Sequence, residues 1–293
     1  MGSDLQPRDP RQELSALARA VAARLELERG FGIESWALPR PQPPTPPAKA
    51  SRKGARPGKP RGPARPSRPK TRPTPPAKPQ VSMTVRTESA VDMFRARDYE
   101  VEIPEGLTPR EQLDHFAGCI AECALCPLHA GRKQVVFGAG NAEADLMFIG
   151  EAPGRDEDRQ GIPFVGRAGQ LLTRIIEAIE FTREEVYIAN IAKCRPPGNR
   201  APTPEEMAAC LPFLLRQVAI IQPKVICLLG ATALRGLLQV KDSISKVRGQ
   251  FIDWNGTLVM PTYHPAYLLR NPHDKRKVWE DVQKVRDAVR AAR

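Results

Sequence analysis

Apolar positions along the C-terminal two-thirds of the chain follow two alternating rhythms. The runs ADLMFIG (144–150), EVYIANIA (185–192) and KVICLLG (224–230) are short, apolar and carry β-branched residues, which predicts strands. Between and after them, AGQLLTRIIEAIE (168–180), TPEEMAACLPFLLRQVAII (203–221) and ATALRGLL (231–238) repeat their apolar residues at helical spacing. Strand and helix in alternation predict an α/β fold, a three-layer αβα arrangement with a central, mostly parallel four-stranded sheet. Near the end, Asn255-Gly256 stands between two apolar stretches of FIDWNGTLVMPTYHP, a hairpin signal. The charged segment from His273 to Arg293 predicts a closing helix.

The N-terminal third reads differently. From Arg11 to Glu28, Leu14, Leu17, Val21 and Leu25 mark one amphipathic helix, too little to form a core by itself. From Arg40 to Pro79 there are 12 Lys or Arg, 14 Pro and no acid. Proline and like charge exclude helix and sheet there and predict a disordered, extended linker. Three zones follow: a helical region at 1–39, a basic linker at 40–85 and one catalytic-sized domain at 86–293. The chain's formal net charge is +12, equal to the surplus of the linker, so the remaining residues sum to neutrality.

Composition then narrows the class. No run approaches the roughly 18 apolar residues that span a bilayer, and the start, MGSDLQPRDPRQE, has no secretory core. Gln6 stands where a myristoylation pattern needs Ser or Thr. The expectation is a cytoplasmic protein without a membrane partner, whose six cysteines are reduced thiols or metal ligands rather than a disulfide frame.

In an open parallel sheet, ligands bind at the carboxyl edge of the strands. The predicted strands end at Gly150, near Lys193 and at Gly230. The site should therefore be built from the loop GEAPGRDEDRQGIPFVG, the segment NIAKCRPPGNR and, as a further wall, HPAYLLR (264–270). The loop matches neither a nucleotide P-loop nor a dinucleotide fingerprint. Cys123 and Cys126 form a Cys-x-x-Cys pair, with Cys194 just past a strand and Cys210 on the next helix. Four such thiolates suit zinc or a [4Fe-4S] cluster, and spacing does not choose between them. Cys119 and Cys227 read as ordinary thiols.

These residues also carry a resemblance. GEAPG with the following ED and PFVGRAGQLL, then VYIANIAKCRPPGNRAPTPEE with Cys210, then PTYHPAYLLRNP, resemble in content and order the family 4, iron-sulfur, uracil-DNA glycosylases. The likeness runs from about Cys123 to Asp281 and leaves the N-terminal 85 residues outside it.

The resemblance implies an enzyme that flips uracil from single- or double-stranded DNA and hydrolyses its glycosidic bond, initiating base excision repair as a monomer. It implies that Phe164 stacks on the base, Asn190 reads its edge and His264 supports the departing O2, with Glu151, Ala152 and Pro153 completing the uracil pocket. Glu151 and His264 are the catalytic pair, since Ala152 stands where family 1 enzymes place an Asp base. Glu157 falls near uracil C5. Cys123, Cys126, Cys194 and Cys210 would hold the [4Fe-4S] cluster. Leu268 and Leu269 would fill the gap left by the flipped base, with Arg195, Arg200 and Arg270 on phosphates. The N-terminal extension would bind DNA or a repair partner. Two other readings are a non-catalytic iron-sulfur DNA-binding or redox-sensing protein and a relative that stays covalently attached to abasic sites. The second requires a histidine in the loop after the asparagine strand, and KCRPPGNR has none.

Overall fold

A computed structural model describes residues 80–85 and 101–293; the helix expected at Arg11–Glu28 and most of the basic linker lie outside these residues. The expected strands form at β3 (Leu146–Gly150), β4 (Tyr187–Asn190) and β5 (Val225–Leu229), and the hairpin at β6 (Phe251–Trp254) and β7 (Thr257–Thr262). Its two-residue turn is Asn255-Gly256, with Trp254 paired to Thr257. The sheet has seven strands rather than four, in the order β1-β6-β7-β5-β3-β4-β2. Its centre, β7-β5-β3-β4, is the parallel quartet, and the antiparallel contacts are at β6–β7 and β2–β4.

The extra strands are edge pieces. β2 (Ala139–Gly140) is two residues long. β1 (Val81–Val85) is almost wholly exposed and pairs in parallel with β6. It lies inside the span that composition assigned to the linker, so the folded unit starts before Arg86. β2 is too short to show a period, and β1 alternates Val81, Met83 and Val85 with Ser82 and Thr84 yet leaves Val81 and Met83 exposed.

The helices make the outer layers. On one face Leu146, Phe148, Ile188 and Met260 pack against α3 (Arg167–Ala178) and α8 (Lys275–Ala292), through Leu172, Ile175, Val282 and Val285 among others. On the other, Met147, Ile149, Ile226 and Leu228 meet α4 (Pro204–Ile221) and α5 (Ala231–Leu238) through Leu211, Leu214, Leu234 and Leu237. Successive strand residues point to opposite faces, so a strand covered on both sides reads as an unbroken apolar run. α4 starts where its sequence says it should. Thr203 and Glu206 form a reciprocal capping box, and Pro204 takes the first helical position. α1 (Pro109–Ile120), with the same cap from Thr108 and Glu111, packs on α4 by way of Phe116, Ile120 and Phe213.

Candidate active site

The carboxyl ends of β3, β4 and β7 open on one cavity of about 630 Å³. Parallel pairing sets Gly150 beside Asn190. The chain two residues past the end of β7 supplies His264, the N-cap of α7 (Pro265–Arg270). Glu151, Ala152, Pro153, Phe164, Asn190 and His264, all expected in the pocket, line this cavity together.

Asn190 is 1% exposed, and its Oδ1 has no hydrogen-bond partner among the described residues. Buried amide oxygens are rarely left so, because an unmade hydrogen bond costs about 1–3 kcal/mol. The acceptor is therefore set for a ligand. A Cβ on Gly150 would lie 2.5 Å from both that oxygen and Phe164 Cζ, so only glycine lets the two walls close on each other.

Phe164 is buried and holds a left-handed backbone, φ 54°, a strained state for a bulky residue. Two features keep it there. Arg183 donates to the carbonyls of Pro163 at 2.8 Å and Phe164 at 3.0 Å. Gly169 in α3 permits the approach, since a Cβ there would be 2.0 Å from the Phe164 carbonyl. The Phe164 and His264 rings end 5.6 Å apart, tilted by 32°.

The tautomer of His264 follows from its cap. Nδ1 accepts the Ala266 N–H at 3.0 Å, so the single proton of the neutral ring sits on Nε2. Burial, and secondarily the charge of Arg270, pushes its pKa down to about 4. A neutral imidazole donating from Nε2 can polarise an oxygen without carrying charge into the pocket.

Of the loop acids, Glu151 accepts from the Thr232 hydroxyl in the first turn of α5. Glu157 is buried and its Oε1 accepts from the N–H groups of Val165 at 3.0 Å and Gly166 at 2.9 Å, tying the loop to the start of α3. Glu157 also lines the cavity, but one of its oxygens is committed to the loop itself.

Residues 137–283 match the family model of the Uracil DNA glycosylase superfamily. A type-4 uracil-DNA glycosylase of Thermotoga maritima is 50% identical over 187 residues, covering 62% of this chain and 97% of that protein. Type-4 enzymes of Saccharolobus solfataricus and Archaeoglobus fulgidus are 46% identical over 188 residues and 43% over 183. The alignments cover 61% and 60% of this chain and 87% and 92% of those proteins. This chain belongs to the uracil-DNA glycosylase superfamily.

The rim of this glycosylase-family cavity is cationic. Arg195, Arg200 and Arg270, expected on phosphates, line it, and so do Arg155 and Arg167, which sequence reading passed over. Arg200 is already engaged, its guanidinium paired with both carboxylate oxygens of Glu206 at 2.7 and 2.8 Å. Arg195 Nε donates to Asn199 Oδ1 at 2.7 Å. The expectation for the two leucines needs correction. Leu268 is 0% exposed and belongs to the core against α3, so it does not face DNA; Leu269, 38% exposed, does point outward. Successive residues of a helix point in different directions, so Leu268 turns to the core while Leu269 faces out.

The four candidate thiols also come together. Cys123, Cys126, Cys194 and Cys210 line one small cavity between α1, α4 and the segment after β4, with Ile120, Leu125, Val135 and Phe213 as apolar walls. Burial pushes the thiols of Cys126 and Cys194 up, and that of Cys210 to about 12. Bare thiolates are thus disfavoured. Among the described residues no three His, Cys, Asp or Glu side chains are grouped so as to hold a single ion. A cubane cluster makes no such demand, because each thiolate binds a different iron. The donor set, four thiols spread around an apolar cavity, fits it. Cys227 is buried mid-strand in β5, while Cys119 is exposed on α1.

Thr232, Arg183 and Lys193 were not singled out by sequence. Thr232 was the most accessible of them, since it stands two residues past the expected strand end at Gly230. Nothing local marks Arg183.

Proposed function

We propose that this protein is a monofunctional uracil-DNA glycosylase that starts base excision repair by releasing uracil and leaving an abasic site. Asn190 carries the reading: a buried amide with an unpartnered Oδ1, opening on a cavity shared with Phe164 and His264. Uracil supplies what the amide lacks. Its N3–H donates to Oδ1, and its O4 accepts from the amide N–H; cytosine inverts both roles. A purified sample should convert a uracil-containing oligonucleotide to an alkali-labile product, with thymine and cytosine controls intact. Intact uracil DNA would rule the activity out.

In hydrolysis the bond from uracil N1 to the sugar breaks with its electron pair leaving on the base. Charge grows on O2, where Nε2–H of His264 donates. Interactions that strengthen only as that charge appears raise the chemical rate. Glu151, held by Thr232, positions a water for attack at the sugar carbon, takes up its proton and stabilises the oxocarbenium-like sugar. Arg270 and Arg195 take flanking phosphates, and Leu269 fills the vacated stack. No helix among the described residues is long and apolar enough to cross a membrane, consistent with work on DNA in the cytoplasm.

His264→Ala should lower the single-turnover rate about 10²-fold or more, the usual scale for one lost transition-state donor. The low pKa adds a pH signature. The ring stays neutral from pH 7 down to near 4, so the rate should show no break at the ordinary 6.5. Because the unfolded ring takes a proton that the folded ring refuses, stability should fall as pH drops from 6.5 toward 4. An acid limb near 6.5 in the His264-dependent rate would refute the neutral ring.

Cys123, Cys126, Cys194 and Cys210 would hold a [4Fe-4S] cluster, which would tie the segment after α1 to the loop after Asn190; hydrolysis requires no electron. Anaerobically purified protein should be brown, with absorption near about 400 nm and roughly four irons and four sulfides per chain. Stoichiometric zinc without sulfide would refute the cluster. Cys194→Ala and Cys210→Ala should lose solubility and stability first, because metal binding is linked to folding.

The basic segment from Arg40 to Pro79 would hold the enzyme on DNA by counterion release. A chain beginning at Gln80, which keeps β1, should retain its single-turnover rate at saturating enzyme. It should bind long DNA more weakly, with a shallower salt dependence. Equal affinity and equal salt slope would exclude the tether.

A further inference from the structure

Lys193 lies between Asn190 and Cys194 in sequence and is 1% exposed. Its backbone N–H donates to Cys210 Sγ at 3.2 Å, and its carbonyl accepts from Val136 N–H at 2.8 Å. The ammonium donates to the main-chain carbonyl of Asn190 at 3.0 Å and to Gln217 Oε1 at 2.5 Å. Gln217, itself fully buried, donates onward to the Phe137 carbonyl at 3.0 Å and the Tyr187 hydroxyl at 3.2 Å.

A buried ammonium is costly unless an opposite charge accompanies it. Both of its side-chain bonds here are to neutral oxygens, and its place on the cavity wall sets it beside Cys194 and Cys210. Lys193 and Arg132 line the thiol cavity together. Arg132 donates to Cys194 Sγ at 3.3 Å and to the carbonyls of Cys123 at 2.5 Å and Ala121 at 3.1 Å. A [4Fe-4S] core on four thiolates is a dianion in its usual oxidation state. Two cations at the cavity wall match it.

We infer that Lys193 is a positioning residue with two attachments: with Arg132 it supplies the counter-charge of the cluster cage, and it fixes the main chain of the uracil-reading Asn190. The inference rests on the proposed glycosylase activity and cluster. It divides the two cations by role. Arg132 holds Cys194 Sγ and the carbonyls of Cys123 and Ala121, whereas Lys193 contacts both the cage and the main chain of Asn190.

The test compares Arg132→Met and Lys193→Met with the wild-type holoenzyme, by the rate of iron loss to a chelator and by inhibition of excision by free uracil. Both variants should lose iron faster, by about 10-fold or more, the scale expected when a buried charge loses its partner. Only Lys193→Met should also bind free uracil about 10-fold more weakly, because its effect passes through Asn190. Iron loss and uracil inhibition both unchanged in Lys193→Met would overturn the inference. Faster iron loss with unchanged uracil inhibition would overturn the link to Asn190. Lys193→Gln, which keeps a polar group in the buried site, should shift both readouts in the same direction and decides the matter if the methionine variant does not fold. Wild-type protein inactive on uracil DNA, or free of iron, would instead bring down the reading beneath it.

Discussion

Asn190→Asp should reduce uracil excision about 10³-fold or more, because a site built to exchange hydrogen bonds with one edge rejects a partner that cannot complete them. A carboxylate cannot donate to uracil O4, and its charge faces that oxygen inside a buried pocket. The side chain is otherwise nearly isosteric, and Asn190 is held by strand pairing with Gly150, so the fold should be kept. An aspartate can accept from the amino group of cytosine, and slow release of cytosine should appear. Single-turnover assays on matched uracil and cytosine duplexes measure both effects. A wild-type rate on uracil would remove Asn190 from base reading.

Gly150→Ala should be nearly as damaging while leaving the backbone unstrained, since the position has no left-handed requirement. The added methyl would stand 2.5 Å from both Asn190 Oδ1 and Phe164 Cζ. One wall of the pocket must therefore move. Overpacking of this kind typically costs about 1–3 kcal/mol of stability, but the larger effect falls on chemistry, because a displacement of about 1 Å can cost 10²-fold in rate. A thermal melt and a single-turnover rate separate the two. Loss of rate with a cooperative melt is the expected outcome; a rate within about 2-fold of wild type would show that the walls can part without consequence.

The two variants probe different kinds of information. Asn190, Phe164 and His264 were singled out in the sequence through their motifs, and the runs expected to end at Gly150, near Lys193 and at Gly230 pointed to the sheet edge where these residues line one cavity. Gly150 gave no hint of its role. That role exists only because β3 and β4 pair in register and Phe164 bends back in a left-handed conformation beneath Arg183. The acids of the loop illustrate the same division. Their number was visible at once, but Glu157 is tied to backbone N–H groups while Glu151 meets Thr232, a residue 81 positions away.

Sequence alone determined the central strands, the helices that alternate with them and the residue types available at the carboxyl edge, because apolar period, caps and turn residues act over a few positions. Tertiary structure decided what depends on distant partners. It set Leu268 in the core and Leu269 outside, added β1 and β2 as edges, engaged Arg200 with Glu206, and gathered four cysteines from three segments around one cavity. It also turned the ammonium of Lys193 toward Asn190. Burial and pairing are chosen by competition among surfaces far apart in the chain, and no local pattern records which of them wins.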